Sequence, residues 1–299
     1  MNSFPTILDS SILATAKACK HKFFREYIEN WKPVGMSVHL HAGQSFAAGV
    51  EAARLAFYVD GKPAEDSVAI GVGKLLETYG TFECPEDSPK SASRMAGALE
   101  FYFANYPLGE GVEPIILPSG KHGIEISFAE PLPILHPETN EPLIYCGRLD
   151  MAAKFAEGLF VEDDKTTSSL GATWSRQWDL RSQFTGYCWG LWKCAGIKPQ
   201  GVLVRGVSIL KTKYDTQQAI TYRPDWMIEE WFENTCDFIK ELVEDWKRGY
   251  WRKTLDHACT DFGGCAHRQP CAMKQPEDWY NAYFERRYWN PLTREETKL

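Results

Sequence analysis

I-Y-C-G-R-L-D-M-A-A-K-F-A-E-G-L-F-V-E-D-D-K-T-T, residues 144–167, decides how the chain folds. Two strand-like runs flank A-E-G, and Glu157-Gly158 suits a two-residue hairpin turn because glycine accepts positive φ. With that turn Ala156 faces Leu159, Asp150 lies opposite Lys165, and Ala152 lies opposite Asp163. Strand alternation then gathers Asp150, Asp163 and Lys165 on one face. Glu162 and Asp164 fall on the other, as support or as solvated surface. A one-residue slip would reverse the choice.

Two carboxylates and a lysine on one strand-supported face make chemical sense together. Paired acids repel unless a cation lies between them, and hard oxygen ligands suit Mg²⁺ or Mn²⁺. Such an ion orients a phosphodiester, lowers the pKa of a bound water and offsets transition-state charge. Lysine adds positive charge at the attacking water or the scissile phosphate. An exposed hairpin with cross-strand ion pairs, each worth about 0.2–1 kcal/mol, would carry the same residues.

Outward from the hairpin, periodicity predicts helices over 10–29, 43–59, 65–79 and 90–105, the first capped by Asp9 or Ser10. Strands are predicted over 122–131, 142–155 and 159–166, a helix over 177–195, and strands over 201–210 and 216–222. A long amphipathic helix over 224–248, a Cys-rich loop and a short helix over 277–287 complete the chain. This order describes one α/β domain: a helical N-terminal part (1–110), a core (111–222) and a C-terminal helix and Cys-rich segment (223–299).

Three motifs stand in sequence around the hairpin: Gly147-Arg148-Leu149-Asp150, Asp163-Asp164-Lys165-Thr166, and Gln183-Phe184-Thr185-Gly186-Tyr187. They resemble the G-R-x-D, D-x-K-T and Q-x-x-x-Y motifs of the PD-(D/E)xK nuclease superfamily, in the RecB-like branch that includes phage and CRISPR-associated exonucleases. The resemblance covers about residues 140–190. It implies a restriction-endonuclease-like core, a central mixed sheet flanked by helices, with helical elaborations at both ends. It also implies metal-dependent hydrolysis of DNA, as single strands or duplex ends, in repair, recombination or phage replication, alongside recombination or replication proteins. Asp150 and Asp163 would bind Mg²⁺ or Mn²⁺, and Lys165 would position or activate the water. Gln183 and Tyr187 share a helix face and would contact nucleic acid or hold Lys165. The family adds a ligand from an earlier helix; Glu51, among small residues, is preferred here to His41.

H-A-C-T-D-F-G-G-C-A-H-R-Q-P-C places Cys259, Cys265 and Cys271 at C-x5-C-x5-C. Several RecB-like nucleases hold a [4Fe-4S] cluster with one early and three late cysteines, and Cys19 resembles the early one. Such a cluster would close a loop of about 240 residues. The first late spacing is longer than the family's common C-x2-C, and Gly263-Gly264 would let that loop fold back. Zn²⁺ on the same thiols, or on three with His257 or His267, is the chemical alternative.

Composition bounds the remainder. The 299 residues are 44% hydrophobic and 24% charged, as in a globular domain, with a formal net charge of −7 that offers no overall attraction for nucleic acid. Basic clusters lie at Lys17–Arg25 and Arg286-Arg287. No apolar run approaches the roughly 18 residues that span a bilayer, and no signal peptide is visible, so the cytoplasm is expected. Cys84, Cys146, Cys188, Cys194 and Cys236 read as buried inert thiols. Trp174 and Trp178 offer base stacking, although core packing is the commoner fate of tryptophan. Two rival functions remain: a non-catalytic DNA-binding or assembly subunit on the same scaffold, and a structural zinc protein, which would leave the hairpin acids unexplained.

Overall fold

The computed structural model describes residues 3–35, 37–260 and 264–298. In chain order the first elements are β1 (Ile7–Leu8), α1 (Ser10–Ala18), α2 (Lys20–Phe23), β2 (Trp31–Pro33), α3 (Val38–Arg54), α4 (Ala64–Tyr79) and α5 (Ala92–Asn105). Then come β3 (Val112–Pro114), β4 (Ile124–Leu135), β5 (Pro142–Phe155), β6 (Gly158–Thr167), α6 (Ala172–Arg176) and α7 (Ser182–Ala195). The chain continues through β7 (Gly201–Ile209), β8 (Tyr214–Tyr222), α8 (Asp225–Arg248), α9 (His257–Thr260), α10 (Arg268–Cys271), α11 (Glu277–Tyr283), β9 (Phe284–Asn290) and β10 (Glu295–Lys298). The result is a mixed α/β fold built on a central mixed sheet with flanking helices. Two compact units divide it, residues 36–127 with 148–228, and residues 1–35 with 128–147 and 229–299.

In the larger unit β5 pairs antiparallel with β6, β6 parallel with β7, and β7 antiparallel with β8. Every residue of β7 is buried, as a strand covered on both faces must be. One face carries α3, α4 and α5, whose Phe46, Val50, Leu75, Met95, Leu99 and Tyr102 form a core with Val207 and Ile209. Small residues let these helices approach closely. A Cβ on Gly71 would lie 2.6 Å from the Gly49 carbonyl and 2.9 Å from Ala53 Cβ. The other face carries α6 and α7; Trp174 sits so near Gly206 that a Cβ there would lie 2.3 Å from the indole. Trp174 and Trp178 are both buried, so packing is what they do.

In the smaller unit β1 pairs in parallel with Ile144 and Tyr145 of β5, and β2, β9 and β10 form a three-stranded antiparallel sheet. Here the structure corrects two expectations. The single helix over 10–29 breaks at Cys19, which is extended (φ −161°, ψ 114°), and resumes as α2 and a π-helical turn over Phe24–Ile28. The helix over 277–287 ends at Tyr283, because Phe284–Asn290 alternates and takes backbone partners on β2 and β10. The basic cluster at 17–25 is largely neutralised locally: Lys20 pairs with Glu241 and Asp245, Lys22 with Glu26, and Arg25 with Glu29. Among the scattered cysteines, Cys146, Cys188 and Cys236 are buried as expected, whereas Cys84 is half-buried and Cys194 exposed.

Candidate active site

The β5–β6 hairpin differs from its predicted register. Phe155 pairs with Gly158, so Ala156-Glu157 form the turn and Ala156, at φ 49°, takes the left-handed conformation expected of Gly158. Gly158 answers a different demand: a Cβ there would lie 2.5 Å from Gln200 Oε1 and 2.8 Å from the Phe160 ring. Ala152 therefore meets Val161, not Asp163. Each partner moves two places along β6, and a shift of two leaves the faces unchanged. Continued past the last pair, Met151 with Glu162, the register sets Asp150 across from Asp163 rather than Lys165. At that point the Asp164 amide donates to Asp150 Oδ2 (2.9 Å), so a side chain takes up the backbone donor.

Asp163 is ion-paired with Lys165 and is only 1% exposed. The Lys165 ammonium lies 5.8 Å from the Phe184 ring of α7, which places this pair on the α7 side of the sheet. Burial pushes the Asp163 carboxyl up to about 7; Lys165 opposes the shift and Asp150 adds to it. Burial also raises Asp150, against Lys165 and the Asp164 amide. Lys165 is shifted upward: burial opposes its charge, but Asp163 and Asp150 outweigh it.

The alternate β6 acids face α3 and α5. Arg54 reaches Glu162 (Nη2–Oε1 2.9 Å) and Asp164 (Nη1–Oδ2 2.7 Å). Tyr102 donates its hydroxyl to Asp164, and Arg205 meets Glu162 at 3.2 Å. With side-chain exposures of 0% for Glu162 and 3% for Asp164, neither is solvated surface. Together they form a buried ionic frame behind the face that carries Asp163 and Lys165.

Glu51 lies near the C-terminal end of α3, with its carboxylate 3.1 Å from Arg148 Nη2. Arg148 also donates through Nε to Glu125, at the start of β4. Sequence reasoning missed Glu125. It has a positive φ of 51°, rare for a side-chain-bearing residue, and nothing in G-I-E-I-S-F signals it. Burial, then Asp150, push its carboxyl up to about 8, with Arg148 opposing. His41, the alternative helix ligand, instead directs Nε2 to the Tyr79 carbonyl (2.9 Å) and stacks on Phe82. Gln183 and Tyr187 bond each other (2.8 Å), flanking the Phe184 ring that meets Lys165. Among the described residues no three His, Cys, Asp or Glu side chains form a ready-made single-ion site. In the larger unit the carboxylates are instead held by Lys165 and Arg148.

In the smaller unit Cys19, Cys259, Cys265 and Cys271 line one cavity of about 250 Å³ with Lys22, Lys253 and Arg268. The helix break at Cys19 brings its thiol there, and Gly264 (φ 94°) helps turn the late loop so that the Cys265 amide reaches the Cys259 carbonyl (3.1 Å). Gly263 lies outside the described residues. Backbone amides point at two sulfurs, Thr254 at Cys19 (3.4 Å) and His267 at Cys265. The four thiols share this cavity as a candidate donor set beside a basic rim, not as a ready-made ion site among the described residues. His267 is no part of that donor set, because its ring nitrogens are engaged by Glu26 and Tyr280 at 3.1 Å each.

No protein-family model and no curated protein matches this sequence. The structure is similar to the crystal structure of a proposed exonuclease from Eubacterium rectale, with a TM-score of 0.52 and 12% identity over 90% of each chain. At that identity the likeness concerns the fold. Similarity to SSO0001 is slight: TM-score 0.27, 12% identity, 70% of this chain and 78% of that one. No helix among the described residues is long and apolar enough to cross a membrane.

Proposed function

We propose that this protein is a divalent-metal-dependent nuclease that hydrolyses phosphodiester bonds in DNA, working as an exonuclease in repair, recombination or phage replication. The observation that carries this reading is the convergence of Asp150, Asp163 and Lys165 where the β5–β6 pairing ends. The fold likeness to a proposed exonuclease supports it. Asp150, Asp163 and Glu51 would hold Mg²⁺ or Mn²⁺, which supplies an acidified water and offsets phosphate charge. Lys165, paired with Asp163, would position or activate the attacking water, and the raised carboxyls make charge at the site costly until a cation is present. Gln183 and Tyr187, bonded to each other beside the Phe184 ring, would contact the nucleic acid or hold Lys165.

Lys165→Ala tests the assignment: it should abolish cleavage of end-labelled DNA in Mg²⁺ or Mn²⁺, with the circular-dichroism spectrum unchanged. Unaltered cleavage would refute the role. A folded wild-type protein that binds DNA but cuts none would move the chain to the non-catalytic, scaffold-retaining reading.

The four cysteines would hold a [4Fe-4S] cluster that staples the segment around Cys19 to the C-terminal loop, with Zn²⁺ the chemical alternative. Elemental analysis after anaerobic purification separates the two.

A further inference from the structure

We propose that Arg148 is a built-in counter-cation of the metal site: its guanidinium bridges Glu51 and Glu125 where a divalent ion would, and yields that place to take the substrate phosphate. This inference rests on the nuclease reading and adds two residues to it, Arg148 and Glu125.

Four observations carry it. One guanidinium spans two carboxylates from different elements, Glu51 on α3 (3.1 Å) and Glu125 on β4. The bridge is also open to exchange from the Arg148–Glu51 side: those side chains are each 32% exposed and that of Glu125 14%, whereas Arg54, which bridges Glu162 and Asp164, is 4% exposed and has nowhere to go. Arg148 is moreover two residues before Asp150 on β5, so strand alternation puts both on one face. A guanidinium released there stays beside the reacting phosphate, and its planar fork binds phosphate oxygens bidentately. Glu125 holds its left-handed backbone where its carboxylate meets Arg148, a conformation that costs free energy and persists only when its surroundings enforce it.

Mn²⁺ binding, followed by the loss of the free-ion electron-spin-resonance signal, tests this apart from activity. Arg148→Met should bind Mn²⁺ about three- to tenfold more tightly, the size of removing two partly exposed competing ion pairs. Its cleavage of end-labelled DNA at saturating Mn²⁺ should nevertheless fall about tenfold or more. Glu125→Gln should bind Mn²⁺ more weakly than wild type. Should Arg148→Met fail to fold, Arg148→Lys serves: it keeps the charge, so Mn²⁺ affinity stays near wild type while cleavage drops with the lost fork. Unchanged or weaker Mn²⁺ binding by Arg148→Met, undiminished cleavage by either Arg148 variant, or unaltered binding by Glu125→Gln overturns the inference. Asp163→Asn separates the two levels. If it abolishes Mn²⁺ binding while Arg148→Met leaves affinity unchanged, only the Arg148 inference fails. If Asp163→Asn binds as wild type does, the metal assignment fails and takes the inference with it.

Discussion

Replacing Arg54 by methionine keeps an extended side chain but withdraws the guanidinium from two buried carboxylates. Glu162 and Asp164 lose contacts of 2.9 and 2.7 Å. Glu162 keeps Arg205 at 3.2 Å, and Asp164 keeps the Tyr102 hydroxyl, so the loss is partial for one and nearly complete for the other. Breaking a buried pair by removing one partner costs about 3–5 kcal/mol, because a desolvated charge is stranded. Against a typical total of about 5–15 kcal/mol, the variant should be at the edge of stability. The deficit depends on pH. Burial already holds the Glu162 carboxyl above its ordinary value with Arg54 opposing; without Arg54 it rises further, so the variant is least impaired below about pH 4 and loses stability as pH rises. Urea unfolding of Arg54→Met at about pH 5 and about pH 8 should show the larger loss at the higher pH. Adding Glu162→Gln and Asp164→Asn should restore much of it, since the stranded charges are then gone. An Arg54→Met protein within about 1 kcal/mol of wild type at pH 8 would refute the reading of this network as a desolvated ionic frame.

Asp163 at about 7 and Glu125 at about 8 lie above the ordinary carboxylate range. Their burial therefore costs nothing below about pH 4 and lowers stability as pH rises toward those values. Mn²⁺ needs the ionised forms, so it should raise the melting temperature more at about pH 8.5 than at about pH 5.5, and the reverse order would count against the assignment. Gly71→Ala places a methyl 2.6 Å from the Gly49 carbonyl, and urea unfolding should show a loss of about 1–3 kcal/mol. Cys19→Ser should lower bound iron, bleach the sulfur-to-iron absorption and reduce the melting temperature together; full iron content in the variant would remove Cys19 from the ligand set.

Local pattern made much of this molecule legible. Apolar periodicity located the cores of α3, α4, α5, α7 and α8, and alternation located β5 through β8, because those signals follow from which face an element buries. The partition of the acids on β6 was equally local: side chains alternate along any strand, so Asp163 and Lys165 separate from Glu162 and Asp164 even though the turn lies one residue earlier than expected. Tertiary packing decided the rest. Gly158 looked like a turn glycine, but the close approach of Gln200 and Phe160 is what demands it, and Ala156 carries the positive φ. Phe284–Asn290 became a strand because β2 and β10 supply its hydrogen bonds. The Arg54 frame and the Arg148–Glu51–Glu125 bridge join residues 23 to 110 positions apart, and no sequence period encodes such pairings. The sequence by itself determined that Asp163 and Lys165 share one face of β6 and Glu162 and Asp164 the other. Only the tertiary structure decided which cation meets which carboxylate, because that depends on where distant segments are packed, and burial then sets how strongly each charge is felt.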